Sequence, residues 1–107
     1  MEGLGTIIFS NKCVRIGNNT SIAGQTYIID SNHGISKSAI IQEQPLESDP
    51  NGISIGADVW IGAQCMIMKG AQIEDHAVIG CQSMVNSVIP QNAIAFGTPA
   101  KIHGFRQ

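Results

Sequence analysis

The side chains best suited to acid–base or nucleophilic chemistry near neutral pH are His33, His76 and His103, with Cys13, Cys65 and Cys81. An imidazole, whose ordinary pKa is about 6.5, is mostly neutral at pH 7 and can accept a proton from a hydroxyl as that hydroxyl attacks. His33 stands apart by its context, Ile29-Asp30-Ser31-Asn32-His33-Gly34-Ile35, followed by a stretch holding Pro45, Pro50, Asn51 and Gly52 with Glu43, Glu47 and Asp49. A histidine at the root of a long loop can be held by a rigid scaffold and covered by the loop. His76 and His103 read as surface residues, and Cys65 reads as a small apolar filler. The cysteines lack CxxC spacing, and no Ser or Cys lies in a recognisable nucleophile motif.

The scaffold that must hold His33 is legible as a period. Ile55, Ile61, Ile67, Ile73, Ile79 and Val85 recur every six positions without a gap. Six matches neither the helical period of 3.6 nor a strand that turns back on itself. It matches a chain wound as a triangular prism, each face a short strand and each corner a turn. Four residues after each aliphatic position come Val59, Cys65, Ala71, Ala77, Ser83 and Ile89, mostly small enough to share a narrow interior. Three after it come Asp58, Gln64, Gly70, His76 and Gln82, polar or Gly, as corners require. The same columns run through Leu4, Ile16, Ile22 and Ile28, with Ser10 as a miss and Ile8, Val14, Thr20 and Thr26 as the small-column partners. From Ile28 to Ile55 is 27 positions, which is not a multiple of six, so the repeat breaks once, over a protruding loop at about 34–52. A loop of that length in a compact domain is usually functional or disordered. An isolated coil cannot bury its aliphatic column, so residues 1–107 are expected to fold as one cooperative all-β domain.

Composition narrows the function. Charged residues are 13 % and the net charge is −2 with no basic run, which gives a nucleic-acid role no support. No apolar stretch reaches the length of a membrane span, and no signal pattern opens the chain, so a soluble, cytoplasmic protein is expected. So lean a surface on a small chain suggests that other subunits cover part of it.

Several strings in the chain resemble the hexapeptide-repeat acyltransferases with a left-handed β-helix, most of all the galactoside, maltose and polysaccharide O-acetyltransferases. They are Ile55 to Val85, with Trp60-Ile61-Gly62, then Ile89-Pro90 and Gly97 to Lys101 (GTPAK). The resemblance covers nearly the whole chain, with a shorter N-terminus than in many relatives. It implies a left-handed parallel β-helix, a homotrimer with sites between neighbouring prisms, and acetyl-CoA as acyl donor with no metal required.

By the same resemblance His33 is the general base for direct attack by a sugar or other small hydroxyl acceptor. Ala63, Cys81, Asn86, Ser87 and Lys101 match coenzyme-binding positions, and the N–H near Ala63 is the candidate oxyanion donor. Many relatives have Thr-Lys where this chain has Asn86-Ser87, so Lys101 or Arg106 would have to supply charge to the coenzyme phosphates. Asn11 stands where relatives carry a substrate-binding carboxylate, which argues against galactoside itself as acceptor. Trp60 falls outside both inward columns and is expected at a subunit interface or on the acceptor wall. Asp30, Asn32 and Glu43 are alternatives for orienting the imidazole.

Other readings compete. An N-acetyltransferase acting on an amino sugar is a near variant, and a non-catalytic β-helix for binding or assembly is a more distant one. A metal-dependent carbonic anhydrase of the same winding needs three histidine ligands, and His33, His76 and His103 lack the close pair found in that family.

Overall fold

A computed structural model describes residues 1–107. Short strands follow one another around the prism. The first turns hold β1 (Ile7–Phe9), β2 (Val14–Ile16), β3 (Ser21–Ile22) and β4 (Tyr27–Ile29). A hairpin of β5 (Ser31–His33) and β6 (Leu46–Ser48) interrupts them. The coil resumes with β7 (Ile53–Ile55), β8 (Trp60–Ile61), β9 (Met66–Ile67), β10 (Gln72–Ile73), β11 (Val78–Ile79), β12 (Met84–Val85) and β13 (Val88–Ile89). It ends with β14 (Ala93–Gly97) and β15 (Ala100–Phe105).

These strands build three faces, visited in constant order. The first face is β1-β4-β9-β12, the second β2-β7-β10-β13, and the third β3-β8-β11-β14. Every pairing within a face is parallel, and β15 adds antiparallel to β14 at the end of the third. Parallel strands this short are stable because each stacks in register on the next, Ile55 on Ile73, Ile61 on Ile79 and Ile67 on Val85. The aliphatic column from Ile55 to Val85 and the smaller Val59, Cys65, Ala71 and Ala77 are almost wholly buried. Burial pushes the Cys65 thiol above its ordinary pKa, in keeping with a packing role. The buried Thr20 and Thr26 are satisfied from the next coil, where their hydroxyls donate to the carbonyls of Gly56 and Gly62.

The polar column lies at the corners, as predicted. Asn19, Gln25, Asp58, Gln64, His76, Gln82 and Asn92 all have φ between 54° and 65°, the left-handed region. Side chains tie these corners from coil to coil. Gln82 donates to Gln64 (3.0 Å) and Gln64 to Gln25 (3.1 Å) along the edge between the third and first faces. On the edge between the second and third faces, Asp58 lies 2.9 Å from His76 Nδ1 and accepts from Arg106 (3.1 Å). His76 and Arg106 hold the Asp58 carboxyl below its ordinary pKa.

Two parts of the predicted register are corrected. Ile8, not Leu4, takes the inward position of the first coil, because Ile8 pairs with Ile28. Leu4 is 94 % exposed. The reason is a turn at Ser10–Cys13 that is two residues longer than a hexad allows: Ile8 and Ile16 occupy successive inward positions but lie eight apart. At the other end Ile89 belongs to the aliphatic column, opposite Ile73, rather than to the small one. Val85 and Ile89 are successive inward positions only four apart, so the corner at Asn86-Ser87 is two residues short. Both irregularities, and the hairpin, fall on the edge between the first and second faces.

Candidate functional site

The hairpin gives His33 its position. Ser31 pairs with Ser48, Asn32 with Glu47 and His33 with Leu46, so His33 stands on the outgoing leg of the hairpin, inside an interruption that was expected to begin only after it. Its exposed side chain faces a groove of about 590 Å³ between the hairpin and the first face. Ile7, Phe9, Tyr27, Ile29 and Leu46 supply apolar walls, while Ser31, Gln42 and Gln44 supply polar groups. No carboxylate, ammonium or guanidinium group lines this groove, whose titratable groups are the His33 imidazole and the Tyr27 phenol. Gln44 is itself fixed, accepting from the Ser36 N–H (3.0 Å) and donating to the Ser36 carbonyl (2.8 Å), which folds the hairpin tip.

Below the groove lies Asp30, 1 % exposed. One carboxylate oxygen accepts the N–H of Asn11 (2.7 Å), and the other accepts those of Lys12 and Cys13 (both 2.8 Å). The Ser10 hydroxyl adds a longer bond of 3.4 Å. Burial by itself would raise the Asp30 pKa, but the three backbone donors and the Ser10 hydroxyl outweigh it and hold the carboxyl below its ordinary value. Asp30 was a candidate to orient the imidazole directly, but its oxygens are occupied by this turn instead.

The remaining predicted residues fall into separate groups. Asn11 is exposed, with its side-chain amide donating to the Ser48 hydroxyl (3.1 Å) at the hairpin base. Ala63 and Cys81 stack one coil apart on the glutamine edge, and neither N–H has a hydrogen-bond partner within the chain. Asn86 and Ser87 are exposed on the opposite edge of the same first face. Lys101 is exposed on β15, across from Phe96. Arg106, considered for the coenzyme phosphates, is held instead by Asp58 and the His76 carbonyl. Trp60 is 58 % exposed on the third face, in a cavity of about 420 Å³ with Asn19, Ser21, Asp58, Val59, Val78 and Arg106. No single cavity of the chain joins His33 with Trp60 or with the coenzyme positions. His103 stacks on Phe96 with ring centroids 3.6 Å apart.

Sequence reasoning missed the groove walls. Phe9 and Tyr27 are one residue beyond and one residue before the inward positions Ile8 and Ile28, so they point outward on one face. Finding that pair in the sequence requires the corrected spacing of the first coil.

Comparison with known proteins agrees with this architecture. The family described as bacterial transferase hexapeptide (six repeats) matches residues 52–93. A relative from Escherichia coli K12, WbbJ, described as a lipopolysaccharide biosynthesis O-acetyl transferase, is 36 % identical over 103 residues, covering 89 % of this chain and 52 % of that protein. Among solved structures, a hexapeptide-repeat acetyltransferase of Vibrio cholerae superposes with a TM-score of 0.87 at 25 % identity, over 97 % of this chain and 57 % of its own. A galactoside acetyltransferase in complex with coenzyme A gives 0.84 at 32 % identity, over 94 % of this chain and 48 % of its own. The chain thus spans about half the length of the relatives it matches. With this winding shared, the coil is a left-handed parallel β-helix, and the chain belongs to the hexapeptide-repeat acyltransferase family.

Proposed function

We propose that this chain carries the catalytic β-helix of an acetyl-CoA-dependent O-acetyltransferase, working in the cytoplasm on a sugar or other small hydroxyl compound. The observation that carries the reading is His33, exposed in an apolar-walled groove where the repeat is interrupted, in a chain whose relatives include named O-acetyltransferases. As the acceptor oxygen attacks the thioester carbonyl, its proton passes to the imidazole. The tetrahedral oxyanion takes a hydrogen bond from the free N–H of Ala63. Collapse breaks the carbon–sulfur bond, and the imidazolium returns the proton to the departing thiolate. The acetyl group ends on the acceptor oxygen and no acyl-enzyme forms.

The scatter of site residues supports assembly as a homotrimer. Large exposed apolar residues cluster on the first face (Ile7, Phe9, Tyr27) and the third (Trp60, Phe96), whereas the second face presents Arg15, Ser54 and Gln72 with Val88 as its one large exposed apolar residue. A neighbour's third face packed against this first face would bring Trp60 to the acceptor side of His33. The coenzyme would then lie in the cleft between prisms, along Ala63 and Cys81 on one edge and Asn86 and Ser87 on the other, with Lys101 near its phosphates. Without a carboxylate in the groove to hold an ammonium, a hydroxyl acceptor is favoured over an amino sugar.

A coenzyme A release assay across neutral sugars, amino sugars and small alcohols tests the reading. Release dependent on a hydroxyl acceptor is expected. Failure of acetyl-CoA to raise the melting temperature, with no release from any acceptor, would refute it.

A further inference from the structure

The turn at Ser10–Cys13 is tied at three places to the hairpin and the residues that flank it. Its backbone N–H groups at Asn11, Lys12 and Cys13 are gathered by the carboxylate of Asp30, the residue directly before β5. The Asn11 side-chain amide holds the Ser48 hydroxyl on the returning leg. The Cys13 carbonyl accepts the N–H of Ile53, where the chain rejoins the prism (2.9 Å). Gly52, at φ +67°, fits that junction because a Cβ there would collide with the Cys13 carbonyl oxygen. The two residues added to this turn thus serve as a strap across the base of the hairpin. No cation balances Asp30, whose charge rests on backbone dipoles and the Ser10 hydroxyl alone.

We propose that Asp30 is a positioning residue for His33: its carboxylate folds the Ser10–Cys13 turn, and that turn fixes both legs of the hairpin that carries the imidazole. Asp30 does not contact His33. It acts through Asn11 and Ser48, and Ser48 pairs with Ser31 two residues before the histidine. The proposal rests on the reading of His33 as general base, and one half of its test is independent of that reading.

The substitution Asp30→Asn keeps size and one acceptor oxygen but turns an NH2 toward backbone N–H donors, which it cannot accept. In the full chain, hydrogen exchange at residues 11–13 and 46–48 should accelerate at least tenfold, while Ile61, Ile67 and Ile79 stay protected. The kcat per coenzyme-binding site should fall about tenfold or more, with KM for acetyl-CoA within about twofold. A residue needed only for folding would lower the active fraction instead, leaving kcat per binding site unchanged. If Asp30→Asn does not fold, Asn11→Ala tests the same strap. It should lower kcat in the same direction and open residues 46–48 to exchange. Unchanged hairpin exchange, or an unchanged kcat in a variant whose hairpin has loosened, would overturn the proposal. Exchange that loosens as expected in a protein showing no transfer with any acceptor would leave the strap standing and remove the enzymatic reading.

Discussion

The two regular edges of the prism and the edge that bears the hairpin are made from the same repeat, yet they differ in almost every local feature. On the regular edges each corner holds a residue in the left-handed region, and side chains link coil to coil through Gln25, Gln64 and Gln82 or through Asp58, His76 and Arg106. An added residue at one of these corners would break the side-chain links it makes to the next coil. On the third edge the left-handed positions are glycines, Gly52 and Gly70, and no such ladder forms. There the turn lengthens at Ser10–Cys13, opens into a hairpin at residues 31–48, and shortens at Asn86-Ser87. The faces survive because the chain returns in phase each time. The proposed chemistry lies on this edge, where irregularity leaves the stack intact.

The sharpest way to break this contrast is to place the same side chain in each region. Ile67→Asp should unfold the protein, since it forfeits about 1.5–3 kcal/mol of burial and puts a charge into the prism. Ile40→Asp, on the exposed hairpin tip, should leave the melting temperature within about 2 °C. Circular dichroism of both variants decides the matter, and a folded Ile67→Asp would refute the register.

Next in size is His33→Ala, expected to lower kcat by about 10²–10⁴-fold while folding and acetyl-CoA binding persist. Activity within tenfold of the parent would remove His33 as base.

Acid should separate the edges more gently. The folded-state pKa of Asp30 lies below the ordinary 3.8, so its contribution is complete above that value and is lost as pH falls through the lower folded value. The glutamine edge has no titrating ladder. Exchange followed by NMR from about pH 6 down to about pH 3 should therefore loosen residues 11–13 before Gln64 and Gln82. Simultaneous loosening of both would count against a local role for Asp30.

The smallest effect belongs to a single corner. Gln64→Ile puts a β-branched residue in the left-handed region and should cost about 1–2 kcal/mol. Gln64→Gly, free of that strain, should melt closer to the parent. Equal melting temperatures would mean the corner conformation is not enforced.

Much of the scaffold could be read from residue order. Ile55 to Val85 gave the inward column, and Asp58, Gln64, His76 and Gln82 marked corners, because uninterrupted hexads convert sequence spacing directly into geometry. The ends were less legible. Leu4 and Ile89 were misplaced because a corner can gain or lose two residues without a signal in hydrophobicity. For the proposed site, the break and the family context single out His33 as the candidate base. The strap that links the Ser10–Cys13 turn to Asp30 and Ser48 joins residues 17 to 37 positions apart, and no local pattern announces it.

Spacing along the chain sets the winding period, the interior column and the location of the interruption. Tertiary structure decided which edge carries every irregularity, where the Asp30 carboxylate finds its donors, and that Trp60 and His33 stand on different faces of one chain. Those outcomes depend on how successive coils stack. Stacking brings together residues that are far apart in sequence, and a pair gained or lost at a corner shifts the sequence spacing of the coils beyond it while leaving their stacking unchanged.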